Sequence, residues 1–396
     1  MTPTVLASSP SPVVVGPLAH ETGLARSSCF ARLASAGARF EAVAGRLVAR
    51  DFGDAIGEYF ATRERVGLSD ASRRSACELV GPDAGRLLDA TATREVSALP
   101  PGKGAVACLC DERGLLVDVV GVFRLAAERF LVRSNTAEAA SWLASHAADH
   151  LLDVGVGRLE EAESLALHGP RSATVLARAT GLDELARALP GPPGWSLAVR
   201  EVALTPTLRA FVTRHGDAAS PSYVLDWPRS DVDRLWDRLV EVGVPEGLRL
   251  VGTRAIQARR LERGIPTPGV DFGRATDPFE AGLGWAVSLA GRSLVGAAAL
   301  VARRESPRRR IVWLAFDDGI PPVASTVVAD GREVGIVTSA VFSPAEARAL
   351  AFAMVDVAAT APGQTVRAHA AGAPLCGVVL DGDRASLWRH GWGGGT

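Results

Sequence analysis

Residues 259–300 read RRLERGIPTPGVDFGRATDPFEAGLGWAVSLAGRSLVGAAAL. Three short motifs follow one another in it: Leu261-Glu262-Arg263-Gly264, Gly269-Val270-Asp271 and Pro278-Phe279-Glu280-Ala281-Gly282-Leu283. Each sets one carboxylate beside glycine or proline, where an acidic side chain accepts hydrogen bonds from turn N–H groups, so Glu262, Asp271 and Glu280 read as architectural. The chain changes character on either side of the stretch.

On its N-terminal side a strand, a Gly-Pro turn and a helix occur twice, in CELVGPDAGRLLDA around Gly81-Pro82 and in LALHGPRSATVLARA around Gly169-Pro170. Each unit is followed by strands and a further helix. After Gly81-Pro82 these are two or three period-two strands between Gly104 and Ser134, then a helix from Thr136 to Leu151. The repetition predicts two related α+β units in an antiparallel setting, because no alternation of parallel βαβ units is evident and no G-x-G-x-x-G follows a strand. Ahead of them DAIGEYFATRERVGL places Ile56, Tyr59, Phe60 and Val66 at helical spacing. On the C-terminal side IVWLAF, STVVA, EVGIVTSAVF and TVRAHA alternate with Gly- and Pro-bearing turns, as in a small barrel or sandwich. Arg303, Arg304, Arg308, Arg309 and Arg310 read as a solvated loop feeding IVWLAF, with contact to an acidic ligand as the alternative. The domain reading is a flexible N-terminus over 1–20, two interleaved α+β domains over 21–290, a β-barrel-like domain over 291–380 and a tail over 381–396.

Composition narrows the function. Hydrophobic residues are 47% and charged residues 22% of 396, the balance of a globular chain. The 43 Lys+Arg against 44 Asp+Glu leave a net charge of -1, too little for a phosphate-neutralising field, which argues against a nucleic-acid partner. No stretch has the apolar length of a membrane span. Five scattered cysteines argue for a reducing, cytoplasmic setting, and Cys108-Leu109-Cys110 lacks the second pair a zinc site needs.

The three motifs of residues 261–283 are similar to L-E-x-G, G-x-D and P-x-E-A-G-L of the glycine cleavage T-protein (aminomethyltransferase) family, in the family's order and spacing. ATRERVGLSDAS, VGPDAGRLLD, LCDERGLLVDVVGVFR, LHGPRSATVL and GREVGIVTSAVFSP resemble further family segments. The resemblance implies three domains around a central channel that holds tetrahydrofolate, and a one-carbon (aminomethyl or methyl) transfer from an amine, so that a small-molecule substrate is expected. It does not extend to the iron–sulfur-assembly branch, whose K-G-C-Y-x-G-Q-E signature is missing.

What the resemblance implies for the site is altered here. The family's principal Asp falls on Val119, with Asp118 one position earlier; Asp118 is the catalytic expectation if a bulge re-aims the strand, and a solvent-facing carboxylate if not. The family's pterin-reading Glu falls on Ser220, a weaker acceptor than a carboxylate, and Asp217, in place of a Tyr, could substitute from the same loop. Asn135 fits the family's pocket position, with a turn or helix cap as its alternative. Arg254 lies two residues before a family Arg, and Val323 replaces an Arg that meets the folate tail. Three functions follow: a tetrahydrofolate-dependent transferase with altered substrate, a repurposed biosynthetic enzyme using the channel without folate transfer chemistry, or a non-catalytic folate-binding or regulatory protein. A carrier-protein partner stays open.

Overall fold

The computed structural model describes residues 23–381 except 44, 73–74, 137, 160, 182–196, 207, 217–220 and 370–372. The N-terminal segment and the tail of the sequence reading lie outside the described residues, apart from Asp381. After α1 (Phe30–Ser35), a hairpin of β1 (Arg39–Val43) and β2 (Arg46–Asp51) leads into α2 (Ala55–Glu64), which opens where Asp54 accepts from the Gly57 N–H at 2.9 Å. Strand β3 (Val66–Asp70) then enters a sheet that the chain leaves and re-enters.

The excursion is one complete unit: β4 (Ser75–Val80), α3 (Ala84–Thr91), β5 (Lys103–Cys110), β6 (Leu116–Ala126), β7 (Arg129–Ser134), α4 (Glu138–Asp149) and β8 (Gly155–Arg158). The return repeats it: β9 (Ala162–His168), α5 (Ser172–Thr180), β10 (Leu197–Ala203), β11 (Arg209–His215), β12 (Ser222–Pro228), α6 (Val232–Gly243), then β13 (Leu248–Leu250) and α7 (Thr253–Glu262). The strands form one 11-stranded sheet in the order β13-β3-β9-β12-β11-β10-β5-β6-β7-β4-β8. Because β9-β12-β11-β10 reverses β5-β6-β7-β4, the two halves are related by a local two-fold axis at the antiparallel β10·β5 junction, where Leu197 faces Gly104. The two halves are the related α+β units that the duplicated Gly-Pro signal predicts, and they interleave: β4–β8 is inserted between the neighbours β3 and β9.

Alternation explains the layers. In one half Leu165, Leu167, Val212 and Leu225 pack with Val175 and Leu176 of α5 and Leu235, Trp236 and Leu239 of α6. In the other, Leu79, Val120, Val122, Phe130 and Val132 pack with Leu87 and Leu88 of α3 and Leu143 of α4. The opposite, inner face carries a smaller cluster of Phe123, Leu131, Leu197, Val199 and Phe211, drawn from both halves. The sheet therefore curls around its own inner face.

After α8 (Ala297–Glu305), strands β14 (Arg309–Phe316), β15 (Thr326–Ala329), β16 (Arg332–Ser343), β17 (Arg348–Asp356), β18 (Thr365–His369) and β19 (Leu375–Val379) close a six-stranded antiparallel barrel in the order β14-β17-β16-β15-β18-β19. The fold class is mixed α+β with a C-terminal β-barrel. Two local readings change. On α2, Tyr59 is buried, but Ile56 is 57% and Phe60 37% exposed, so the helical spacing marks a helix without making every apolar position inward. The arginine run is no single loop: Arg303 and Arg304 end α8, while Arg309, at the start of β14, pairs with Glu280.

Candidate functional site

Strand β6 decides which side chains reach the inner face. Its register against β5 runs Leu109↔Asp118 and then Cys110↔Leu116, so Val117 is the extra residue of a bulge. Beyond it Asp118 has the parity of Val120 and Val122, which lie on the helix-covered side, whereas Val119 has the parity of Phe123, pairs with Cys108 and packs against the cluster of Cys108, Cys110, Leu116 and Phe272. The bulge falls one residue too early to turn the Asp118 carboxylate to Val119's face.

Asp118 is instead a buried acceptor. Its Oδ2 receives the Asn135 N–H at 3.1 Å, the Thr136 N–H at 3.0 Å and the Thr136 hydroxyl at 3.0 Å, while Oδ1 receives the Val119 N–H at 2.7 Å. Burial pushes its pKa up, and these hydrogen bonds hold it back. Asp118 and Asn135 are thus brought together: the Asn135 amide donates to Val119 O at 2.8 Å and to Asp118 Oδ1 at 3.4 Å. Among the described residues nothing donates to Asn135 Oδ1, so it is left as an acceptor beside Val119.

Asp217 and Ser220 lie outside the described residues, but both anchors of their loop are described. The loop leaves β11 at His215-Gly216, where Gly216 has φ 95°, and rejoins β12 at Ser222 after Pro221 O accepts from the Gly169 N–H at 3.0 Å. Arg254 is not part of this neighbourhood. Its exposed guanidinium lies 3.8 Å from Asp51 beside β2. Val323 is 44% exposed in the β14–β15 connection.

Two histidines that sequence reading passed over border the same loop. His168, Ser222 and His215 stand side by side on β9, β12 and β11, in the register His168↔Ser222↔His215. All three alternate with residues of the helix-covered core and so belong to the inner face. Ser69 Oγ meets His168 Nε2 at 2.9 Å and Ser222 Oγ meets His168 Nδ1 at 3.0 Å. His215 Nε2 lies 3.0 Å from Thr213 Oγ1, and its ring meets Phe123 edge-on at 5.8 Å. The signal was present as a His-Gly pair in both LALHG and VTRHG, each ending a strand at a positive-φ glycine.

The motif carboxylates dock the barrel. Glu262 accepts from Tyr59 of α2 and Ser343 of β16, each at 2.7 Å. Asp271 accepts from Arg260 at 2.6 Å, from the Thr267 N–H at 2.7 Å and from the Thr338 and Ser339 hydroxyls of β16. Glu280 pairs with Arg309 of β14. Side chains thus join the turn N–H groups that the sequence suggested. Cys108 and Cys110 are buried, and burial pushes the Cys108 thiol up to about 12. Among the described residues no group of three or more His, Cys, Asp and Glu side chains is placed to hold a metal ion, and no helix is long and apolar enough to cross a membrane.

A curled, two-fold-related α+β sheet locked by three motif carboxylates to a six-stranded barrel defines a narrow class of protein. The family model described as the GCVT N-terminal domain matches residues 29–291, and that of the glycine cleavage T-protein C-terminal barrel domain matches 309–387. The chain belongs to the glycine cleavage T-protein family. It is 31% identical over 331 residues to an aminomethyltransferase of Herpetosiphon aurantiacus, covering 82% of this chain and 88% of that one. It is also 30% identical over 313 residues to a trimethylamine-oxide aldolase of Ruegeria pomeroyi, covering 76% of this chain but 39% of that protein. Among solved structures, the glycine cleavage system aminomethyltransferase T of Bartonella henselae superposes with a TM-score of 0.80 at 26% identity, over 90% of this chain and 97% of that one.

Proposed function

We propose that the protein is a tetrahydrofolate-dependent one-carbon transferase whose donor differs from that of an aminomethyltransferase. The observation that carries this reading is the pair Val119 and Asn135: the pocket asparagine is kept with an acceptor oxygen that meets no donor among the described residues, while an isopropyl group occupies the inner face where the resemblance puts a carboxylate. An acceptor beside apolar Val119 suits the edge and face of a flat, donor-bearing ring such as a pterin. The lost carboxylate removes the group that would hold or deprotonate a cationic amine. Asp118 keeps a positioning part, fixing Asn135 through its backbone and amide. Folate, when bound, would supply the nitrogen that accepts the one-carbon unit. That a relative matching 76% of this chain is a trimethylamine-oxide aldolase supports a change of reaction within this fold.

Calorimetric titration with tetrahydrofolate and 5-methyltetrahydrofolate tests the reading without the substrate. Binding at one site per chain is expected, and Ser220→Glu should tighten it about tenfold, the value of a charged over a neutral acceptor at roughly 1.4 kcal/mol. If neither folate binds, the repurposed enzyme without folate chemistry takes its place. The buried Arg133–Asp226 ion pair, which crosses the inner face from β7 to β12, favours that second reading because it occupies space a deep ligand would need.

A further inference from the structure

We propose that His146 and His150, one turn apart at the end of α4, form a two-imidazole site for a divalent transition-metal ion. The 12 residues of α4, about 18 Å at 1.5 Å each, separate this end from Asn135 and Thr136, so the proposal is independent of the folate reading. Its basis is the way the two rings are stacked and the way one of them is tied.

Trp142, His146 and His150 follow one another at steps of four, the spacing that sets side chains above one another on one helix face. Trp142 and His146 stack with ring centroids 5.9 Å apart and planes 25° apart, and His146 and His150 stack at 4.1 Å and 24°. His150 is held a second way. Its backbone N–H and its ring Nδ1 both meet the His146 carbonyl oxygen, at 3.2 and 2.9 Å. A carbonyl only accepts, so Nδ1 carries the ring proton and Nε2 keeps the lone pair. Proteins present imidazole to a metal in this way: one ring nitrogen donates to a backbone carbonyl or carboxylate, and the other is left as the ligand. Among the described residues neither His150 Nε2 nor a ring nitrogen of His146 has a hydrogen-bond partner. His146 is half-buried and His150 exposed, so an ion can reach both from solvent.

The surroundings suit a soft-to-borderline cation. Burial, and then the neighbouring His150 ring, hold His146 below the ordinary imidazole range against the opposing pull of Asp149 and Glu112, which keeps the ring neutral. The same two carboxylates add negative charge near the pair. Two nitrogens bound to one ion at about 2.0–2.1 Å lie roughly 3–3.4 Å apart, so the rings must converge at their Nε2 edges, and the broad χ2 torsion of histidine allows it. Among the described residues no third His, Cys, Asp or Glu completes a metal-holding group, so water fills the remaining positions. Imidazole with water selects nickel over cobalt and cobalt over manganese, and gives magnesium, which requires oxygen ligands, no hold.

Nickel(II) titration of the full-length, chelator-treated chain tests this, followed by calorimetry and by histidine-ring NMR. One ion per chain is expected, and substoichiometric nickel should broaden the His146 and His150 ring signals ahead of those of His168, His215 and His369. Two variants keep the contacts of the metal-free helix. His146→Phe preserves a ring between Trp142 and His150, and His150→Asn preserves a donor at the place of Nδ1 while removing Nε2. Each should weaken nickel binding by about tenfold or more. The urea midpoint of wild type should rise with the logarithm of nickel concentration, less so with cobalt and manganese and not with magnesium, while each variant, compared with its own metal-free form, should show no such rise in the same range. Nickel affinity unchanged in both variants, or first broadening at another histidine, overturns the proposal. A rise with magnesium equal to that with nickel also overturns it, since the ion would then be held by carboxylates; and if nickel leaves both rings and the midpoint untouched, the column only caps and covers the end of α4.

Discussion

Asp118 and Val119 are neighbours with opposite fates, and one inserted residue separates the two outcomes. Strand alternation makes it legible that a carboxylate one position from the family's place faces the wrong way unless a bulge intervenes. The bulge exists, but at Val117, and its position depends on how β6 pairs with β5, which no local pattern encodes. Both oxygens of Asp118 are surrounded by N–H and O–H donors. In Asp118→Asn an NH2 must replace one acceptor and point at those donors, so the loss should be about 1–3 kcal/mol in urea unfolding. The pH dependence has a definite sign. The folded-state pKa is raised by burial, so the native protein binds this proton more tightly than the unfolded chain. Its contribution to stability is greatest below the ordinary carboxylate pKa and declines as pH rises through the folded value. The variant should lack that decline. If Asp118→Asn unfolds at the same urea concentration as wild type from pH 4 to 7, the hydrogen bonds assigned to Asp118 contribute nothing.

At the scale of elements, the duplicated strand-Gly-Pro-helix signal was legible because its cause is local. Gly81 and Gly169 turn the chain with φ of 146° and 110°, and each packs directly on backbone: a Cβ would lie 2.4 Å from Asp153 O and 2.7 Å from Arg65 O respectively. The strands and helices that follow show their periods for the same reason. The row of His168, Ser222 and His215 was not legible, since its members lie far apart in sequence and meet only once β9, β12 and β11 pair in register. Gly169→Ala therefore tests an element the sequence announced. It should cost about 2–3 kcal/mol through strained backbone and the clash with the end of α2, whereas Gly157→Ala on β8, where a Cβ has nothing within 4 Å, should shift the unfolding midpoint by less than about 0.5 kcal/mol. Equal effects at the two glycines would refute the tight-turn account.

Over the whole molecule, two devices hold the domains in relation. The motif carboxylates Glu262, Asp271 and Glu280 fix the barrel, and their sequence signature is what made the fold recognisable. The ion pair of Arg133 and Asp226 fixes the two halves of the sheet, and nothing in the sequence marks it. Four strands separate β7 from β12 in the sheet order, yet the curl brings the two side chains together, both almost fully buried. Their positions are equivalent under the local two-fold. Val80, before Gly81, pairs with Arg129, and Arg133 follows four residues later; His168, before Gly169, pairs with Ser222, and Asp226 follows four residues later. A buried charge stripped of its partner costs about 3–5 kcal/mol, so Arg133→Met and Asp226→Asn should each be severely destabilising. Because a two-fold operation exchanges the two sites, the double replacement Arg133→Asp with Asp226→Arg rebuilds the pair in nearly the same geometry. The symmetry is incomplete at one partner, since Ser164, which donates to Asp226 at 2.6 Å, has Ala76 as its mate. The exchanged protein should therefore recover all but about 1 kcal/mol, one neutral-to-charged hydrogen bond, and adding Ala76→Ser should restore most of that remainder. Denaturant unfolding of the singles, the double and the triple measures each step. An exchanged pair no more stable than the singles would show that the two sites are not equivalent and that the sheet halves are not related as their strand order implies.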